Sequence, residues 1–217
     1  SYGVPFWGRE TTKGLTLYID FELLPVFGQD RIWSVTKGKG ITEPTGNLLY
    51  WNMRGACYSA STILSVLAER LENLPEPPRL IVADPVYKLS ADIDENSSGQ
   101  VTQLMLTLEQ FSERTKAAIV FSHHLNKAGS QPGNGGGPSE LKLSGSNSYS
   151  RDPDTILVMS EHPEDERCSI VEGVMRNLPP PDPFVVEFDW PAFKIRDDLE
   201  VRPRRRRPQN DQDRPGN

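Results

Sequence analysis

The sequence predicts an α/β protein built on a mostly parallel β-sheet, with antiparallel strands towards its C-terminal end. Three observations support this fold class. Short apolar runs of strand length alternate with segments of helical periodicity over the first 160 residues. These runs are nearly continuous and rich in Val, Ile and Leu, which is typical of strands buried on both faces. After residue 160, two strand-like segments follow each other with only a proline-rich connector between them.

Five apolar runs are the predicted strands of the first region. They are LTLYID (15–20), NLLYWN (47–52), LIVAD (80–84), AAIVFS (117–122) and TILVM (155–159). Strand, helix and strand repeated in this way indicate right-handed crossovers in a parallel sheet, with helices on both of its faces.

Two helices between these strands have clear apolar periodicity. The stronger one covers 101–115, where apolar residues recur at the i, i+3, i+4 and i+7 spacing and Ser97 or Ser98 can serve as the N-cap. The other covers 58–74 and is ended by Pro75.

The antiparallel strands are predicted at 168–176 and 183–190, on either side of the connector NLPPPD, and they are expected to form an edge of the same sheet. Residues 1–196 are then one folded core, and 197–217 are a basic, disordered tail. The last seventeen residues hold six Arg and two Asp within a chain of formal charge −6, so the acidity belongs to the core. Such a tail is either solvated or a contact for nucleic acid.

The composition indicates the cellular compartment of the protein. Its two cysteines, Cys57 and Cys168, form no CxxC pair and no disulfide framework, which suits a reducing compartment. No run approaches eighteen apolar residues, and the first residues do not have the layout of a signal peptide. We therefore expect a cytoplasmic protein that does not bind membranes.

Chemically suggestive side chains follow three of the predicted strands. Asp20 and Glu22 come at the end of the first strand, and either could orient a water molecule or favour the start of a helix. Asp84 ends the third strand, where nucleoside-triphosphatases place a carboxylate that holds magnesium through water. His123 and His124 follow the fourth strand. Ligands lie beyond the carboxyl ends of parallel strands, so these residues are the candidates for a site.

The histidine pair precedes a glycine-rich loop, SQPGNGGG, which raises a choice between a metal, a phosphate cradle and a phosphate sensor. Adjacent histidines on a strand point to opposite sides, which disfavours zinc. The loop has no lysine in the G-x-x-x-x-G-K-[ST] arrangement, so its spacing does not predict a phosphate cradle. A polar group that senses a terminal phosphate remains as the interpretation.

These motifs together resemble a known family. The segments IVADPVYKL, IVFSHHLNKAG, LSGSNSYSRDPDTILVM and VEGVMRNLPPPDPFVVEFDWP occur in the order found in the RepA-like branch of RecA-fold, AAA-type ATPases. These proteins are hexameric relatives of replicative helicases in plasmids and phages, and the resemblance covers about residues 5–196. It implies a RecA-like P-loop NTPase fold, ATP and Mg²⁺ as cofactors, and action in DNA replication.

The resemblance also implies roles for individual residues. Glu22 is similar to the glutamate that polarises the attacking water, Asp84 to the Walker B aspartate that holds Mg²⁺ through water, and His124 to the γ-phosphate sensor. His123 and Lys127 lie beside that sensor as nucleotide-binding candidates.

Residues outside the nucleotide site are implied to serve the assembly. The loop 128–143 corresponds to loops that contact DNA, expected to be single-stranded, in the channel of a hexamer. Arg151 and Arg176 are both candidates for an arginine that acts across a subunit interface.

One departure from the family is large. Members begin with a strand, a Gly-Lys-Thr or Gly-Lys-Ser phosphate loop and a helix, and GRETTKG (8–14) has the wrong order to be that loop. We expect an N-terminally incomplete sequence that lacks the Walker A motif, begins just before the second strand of the fold, binds ATP poorly and has marginal stability.

Two other functions remain open at this point. A non-catalytic DNA-binding or oligomerisation module of RecA fold would need no ATP. A metal-dependent hydrolase would use His123, His124, Asp84 and Glu22 as its metal ligands and catalytic groups.

Overall fold

The computed structural model describes residues 1–43, 46–56, 58–89, 93–124 and 148–201. These residues form two four-stranded sheets, one parallel and one antiparallel. The predicted α/β fold class, with a parallel sheet and antiparallel C-terminal strands, is therefore confirmed.

The parallel sheet has the strand order β2-β1-β3-β4. Its strands are β1 (Thr16–Asp20), β2 (Leu48–Asn52), β3 (Leu80–Asp84) and β4 (Ala118–Phe121). In this register Asp20 lies opposite Asn52 on one side and Asp84 on the other. Polar residues that end three neighbouring strands therefore meet at one edge of the sheet.

Five helices occur in the described residues. They are α1 (Pro25–Gly38), α2 (Ala60–Glu72), α3 (Val86–Leu89), α4 (Ser98–Thr115) and α5 (Ser148–Arg151). The two helices predicted from periodicity, α2 and α4, are confirmed. Ser59 caps α2 by accepting the Thr62 N–H at 3.2 Å, while Ser97 occupies the N-cap of α4 without a side-chain hydrogen bond.

One face of the parallel sheet packs against α2 and α4. Alternate residues of the central strands are buried in this core, together with the apolar stripes of both helices. The principal residues are Leu17, Ile19, Ile81, Ala83, Ile63, Leu67, Leu104 and Leu108. Each buried aliphatic side chain contributes about 1.5–3 kcal/mol, so this layer fixes the sheet that carries the strand tips.

The opposite face of the sheet carries two tyrosines, Tyr18 and Tyr50, whose rings stack with their centroids 6.0 Å apart. Helix α1 approaches this face through Gly28, its buried residue, which lies against Tyr50 and Asp20. Helices therefore lie on both faces, as the sequence predicts.

The antiparallel sheet has the order β5-β6-β7-β8. Its strands are β5 (Thr155–Glu161), β6 (Cys168–Met175), β7 (Phe184–Asp189) and β8 (Ala192–Ile195). The expectation that 155–159 is a parallel strand, with the later strands at the edge of the same sheet, is wrong in this respect. A short connection joins β5 to β6, and such a connection permits only an antiparallel hairpin.

The antiparallel sheet contacts the N-terminal segment and the end of α1, among other parts of the described chain. The Trp7 ring meets the Phe184 ring edge-on at 5.3 Å, so the N-terminal segment packs on β7. At the end of α1, a Cβ atom on Gly38 would lie 2.8 Å from Pro191 Cγ in the β7–β8 turn. In the described ranges, no helix combines the length and the apolar character that crossing a bilayer requires.

Candidate functional site

Asp20 is a buried carboxylate that organises the turn after β1. Its Oδ1 accepts the backbone N–H groups of Glu22 and Leu23, both at 2.9 Å, and its Oδ2 accepts the Tyr50 hydroxyl at 2.8 Å. Only 2% of Asp20 is exposed. These hydrogen bonds compensate the burial of its charge, and they give Asp20 a structural function.

Glu22 is the exposed carboxylate at the tip of β1. The strand ends at Asp20, so the alternation of strand side chains does not extend to Glu22, and the two carboxylates occupy different environments. The hydroxyl of Tyr87 on α3 donates a hydrogen bond to Glu22 Oε1. This hydrogen bond raises the pKa of Tyr87 to about 12, with smaller contributions from burial and from the charges of Glu22 and Glu95.

Asp84 lies at the tip of β3 and is half-buried. The Tyr18 hydroxyl donates to its Oδ2 at 2.6 Å, and the Ser122 hydroxyl donates to its Oδ1. Burial, followed by this hydrogen bond, raises the pKa of Tyr18 above its ordinary value. Asp84 is therefore held by one hydroxyl from β1 and another from the segment after β4.

The two histidines follow the end of β4 and contact different residues. His123 lies against Tyr149, with ring centroids 4.2 Å apart, and its Nδ1 donates to the backbone oxygen of His124 at 2.8 Å. His124 is exposed, and its ring centroid lies 5.9 Å from that of Tyr87. Of the pair, His124 is the one on the side of Glu22.

Tyr87 brings Glu22 and His124 together, while Asp84 has its own hydroxyl partners, Tyr18 and Ser122. Ser122 comes two residues before His124 in the chain. A cleft of about 600 Å³ opens beside Glu22. It is lined by Phe21, Glu22, Leu23, Met53, Arg54, Gly55, Ala56 and Lys88.

The two candidate arginines lie together at the end of α5. The Arg176 guanidinium donates to the backbone oxygens of Arg151 and Asp152, the latter at 3.1 Å. It therefore satisfies carbonyl groups at the C-terminal end of the helix. Arg151 is exposed. The role of either residue across a subunit interface stays a prediction.

Several predicted features lie outside the described residues. They are Lys127, the loop 128–143, Cys57 and most of the tail, 202–217. In the described ranges, no three His, Cys, Asp or Glu side chains are grouped so that they could hold a metal ion. Cys168 is buried, and burial raises the pKa of its thiol.

Two residues that the sequence did not single out, Tyr87 and Ser122, complete the site. Tyr87 occurs in DPVYK, three residues after Asp84, and Ser122 comes directly before the histidine pair. Their position in the sequence, close to Asp84 and to the histidine pair, is the signal by which they could have been found. Their hydrogen-bond partners belong to other strands, so the pairing is visible only in the fold.

The residues of the site fit a magnesium ion that contacts them through water. Carboxylate oxygens are hard ligands suited to Mg²⁺, which usually retains several of its waters. Both oxygens of Asp84 already accept hydroxyl groups, and each has further lone pairs for a water molecule. Glu22 is exposed and accessible to a second water.

The structure thus places two carboxylates and an imidazole at or just after the ends of neighbouring parallel strands. The AAA domain family model matches residues 1–130, so this chain belongs to the AAA domain family. Among solved structures, it is similar to the "ATPase Domain of G40P", with a TM-score of 0.59 and 12% sequence identity. This likeness covers 81% of this chain and 71% of that chain and indicates a shared fold. No curated protein matches the chain.

Proposed function

We propose that this protein is the ATP-hydrolysing core of a DNA motor, of the RepA-like kind related to replicative helicases. The observation that carries the proposal is that Glu22, Asp84 and His124 lie at or just after the ends of adjacent parallel strands, with Tyr87 in contact with both Glu22 and His124. Membership of the AAA domain family supports nucleotide as the ligand.

The two carboxylates have different tasks in this proposal. Exposed Glu22 orients a water molecule and accepts its proton as the water attacks. Asp84, held by two hydroxyl groups, presents its oxygens to water molecules of a magnesium ion. When bound, Mg·ATP supplies the scissile phosphoanhydride and a cation that neutralises developing charge.

His124 serves as the sensor of the terminal phosphate. It is exposed, it is on the side of Glu22, and it precedes the loop 128–143 in the chain. An imidazole that hydrogen-bonds the phosphate would lose its partner when the phosphate leaves, and the loop behind it would respond. His123 and Lys127 are the neighbouring nucleotide-binding candidates.

The proposed assembly is a homo-oligomer, in the hexameric form of the family that this sequence resembles. Single-stranded DNA binds through the loop 128–143, and Arg151 or Arg176 completes the site of a neighbouring subunit. The formal charge of the chain is −6, so DNA affinity must come from local Lys and Arg side chains.

The test is the Glu22→Gln variant. The amide cannot accept the proton, so ATP hydrolysis should fall by about 10²–10⁴-fold while binding of a fluorescent ATP analogue is retained. Glu69→Gln, an exposed carboxylate change on α2, is the matched control and should hydrolyse ATP at the wild-type rate.

A different outcome would favour a non-catalytic module. The outcome would be that the wild-type protein does not hydrolyse ATP and binds DNA equally well with and without it. The RecA fold would then serve only DNA binding or oligomerisation. Equal hydrolysis by wild type and Glu22→Gln would instead remove Glu22 from its proposed role.

A further inference from the structure

Tyr87 occupies a position between two functional candidates. Its hydroxyl donates to Glu22 Oε1, and its ring contacts the ring of His124, with centroids 5.9 Å apart. The two partners come from different strands, since Glu22 follows β1 and His124 follows β4. Tyr87 itself stands on α3, directly after β3, so one side chain joins three neighbouring strand tips.

The hydrogen bond restricts the carboxylate of Glu22. An exposed glutamate has several rotamers of similar energy, and a hydroxyl that holds one oxygen selects among them. A tyrosine keeps its proton at neutral pH, so the phenol is the donor, and this hydrogen bond is the chief cause of the rise in the pKa of Tyr87 to about 12.

The short helix that carries Tyr87 is anchored in the core. Lys88 Nζ lies 5.2 Å from the ring centroid, and the neighbouring residues Val86 and Leu89 are buried in the core. Helix α3 is therefore anchored, and the hydroxyl reaches Glu22 from a fixed base.

We propose that Tyr87 is a positioning residue that orients the Glu22 carboxylate beside His124. This inference rests on the proposed function, because it assigns Tyr87 a task in the hydrolysis that Glu22 performs. It acts through Glu22 and does not itself touch the reacting atoms.

The kinetic test is Tyr87→Phe in the full-length protein, which keeps the ring against His124 and removes only the hydroxyl. Turnover should fall about tenfold while KM for ATP changes less than twofold, because orientation and not binding is lost. Tyr58→Phe, at an exposed tyrosine, is the control and should behave as wild type. Wild-type turnover in Tyr87→Phe would overturn the positioning role alone.

A second measurement reports the contact independently of catalysis. With 3-fluorotyrosine at position 87, the ¹⁹F resonance follows ionisation of the phenol. Glu22→Gln should move that ionisation to lower pH by about one unit, because the charged acceptor is lost. Glu95→Gln, which removes a more weakly interacting carboxylate, should move it less.

The outcomes separate the two claims. An unchanged titration in Glu22→Gln would overturn the Tyr87 contact, even if Glu22 proves essential for hydrolysis. If Glu22→Gln shifts the Tyr87 titration but the wild-type protein does not hydrolyse ATP, the contact is present and the proposed function is wrong. The positioning role is then wrong as well.

Discussion

A Cβ atom on Gly28 would lie 1.9 Å from the hydroxyl oxygen of Tyr50, and 3.1 Å from Asp20 Oδ2. The backbone of α1 therefore approaches the buried Tyr50–Asp20 pair as closely as only glycine allows. Asp20 also accepts a hydrogen bond from the backbone N–H of Glu22. This packing therefore supports the turn that carries Glu22, the candidate catalytic carboxylate.

Gly28→Ala should therefore lower the free energy of unfolding by about 1–3 kcal/mol, since the methyl group must displace the Tyr50 hydroxyl from Asp20. Urea denaturation measures the change. Gly99→Ala on α4 is the matched control, because no heavy atom lies within 4 Å of its added Cβ. That control should leave stability unchanged or raise it by up to about 1 kcal/mol. Equal effects at both positions would contradict the close packing.

Asp20→Ala should lower the free energy of unfolding by about 2–4 kcal/mol, because the N–H groups of Glu22 and Leu23 and the Tyr50 hydroxyl lose their acceptor. Asp20→Asn keeps one acceptor oxygen and should cost less. Thermal denaturation and ATPase rates of both variants are the measurements. An Asp20→Asn protein of wild-type stability and no activity would instead make Asp20 a catalytic base.

Stability should decline at alkaline pH, partly because of Tyr18. Its pKa is raised in the folded state by burial and by the hydrogen bond to Asp84. Below about pH 10, folded and unfolded chains both keep the proton; above it the unfolded chain loses the proton first, so stability falls as pH rises. Urea midpoints from pH 8 to 11 should fall less steeply for Tyr18→Phe than for wild type or Tyr58→Phe. An unchanged slope would count against the buried Tyr18–Asp84 contact.

The two arginines at the end of α5 should separate in their effects. Arg176→Ala removes donors from two helix-end carbonyls and should lower the free energy of unfolding by about 1 kcal/mol. Arg151→Ala should leave stability unchanged and lower ATP turnover, if Arg151 acts on a neighbouring subunit. Melting temperatures and ATPase rates of both variants measure these two effects separately. A stable, inactive Arg176→Ala protein would reverse the assignment.

The sequence predicts the strands of this fold more reliably than its irregular parts. Buried strands such as 80–84 are apolar for a physical reason, and the structure reproduces those bounds. Helix α1 was missed because Val26, Phe27 and Trp33 are exposed, so no apolar stripe marks an inner face. The short strand β8 has too few residues for a clear alternation.

The candidate site is predicted only in part, because some of its contacts depend on how distant segments pack. Strand-end residues such as Asp84 and His124 can be read from the sequence, because strand tips meet at one edge of the sheet. The different environments of Asp20 and Glu22 depend on the turn that follows β1. The contact from Tyr87 to Glu22 joins residues 65 positions apart, which local patterns do not reveal.

The most direct test of this account is a crystal structure of the full-length protein with Mg²⁺ and a non-hydrolysable ATP analogue. We expect waters of the metal ion on Asp84, the Glu22 carboxylate facing the water next to the terminal phosphate, and His124 within hydrogen-bonding distance of that phosphate. A nucleotide bound away from these three residues would contradict the account.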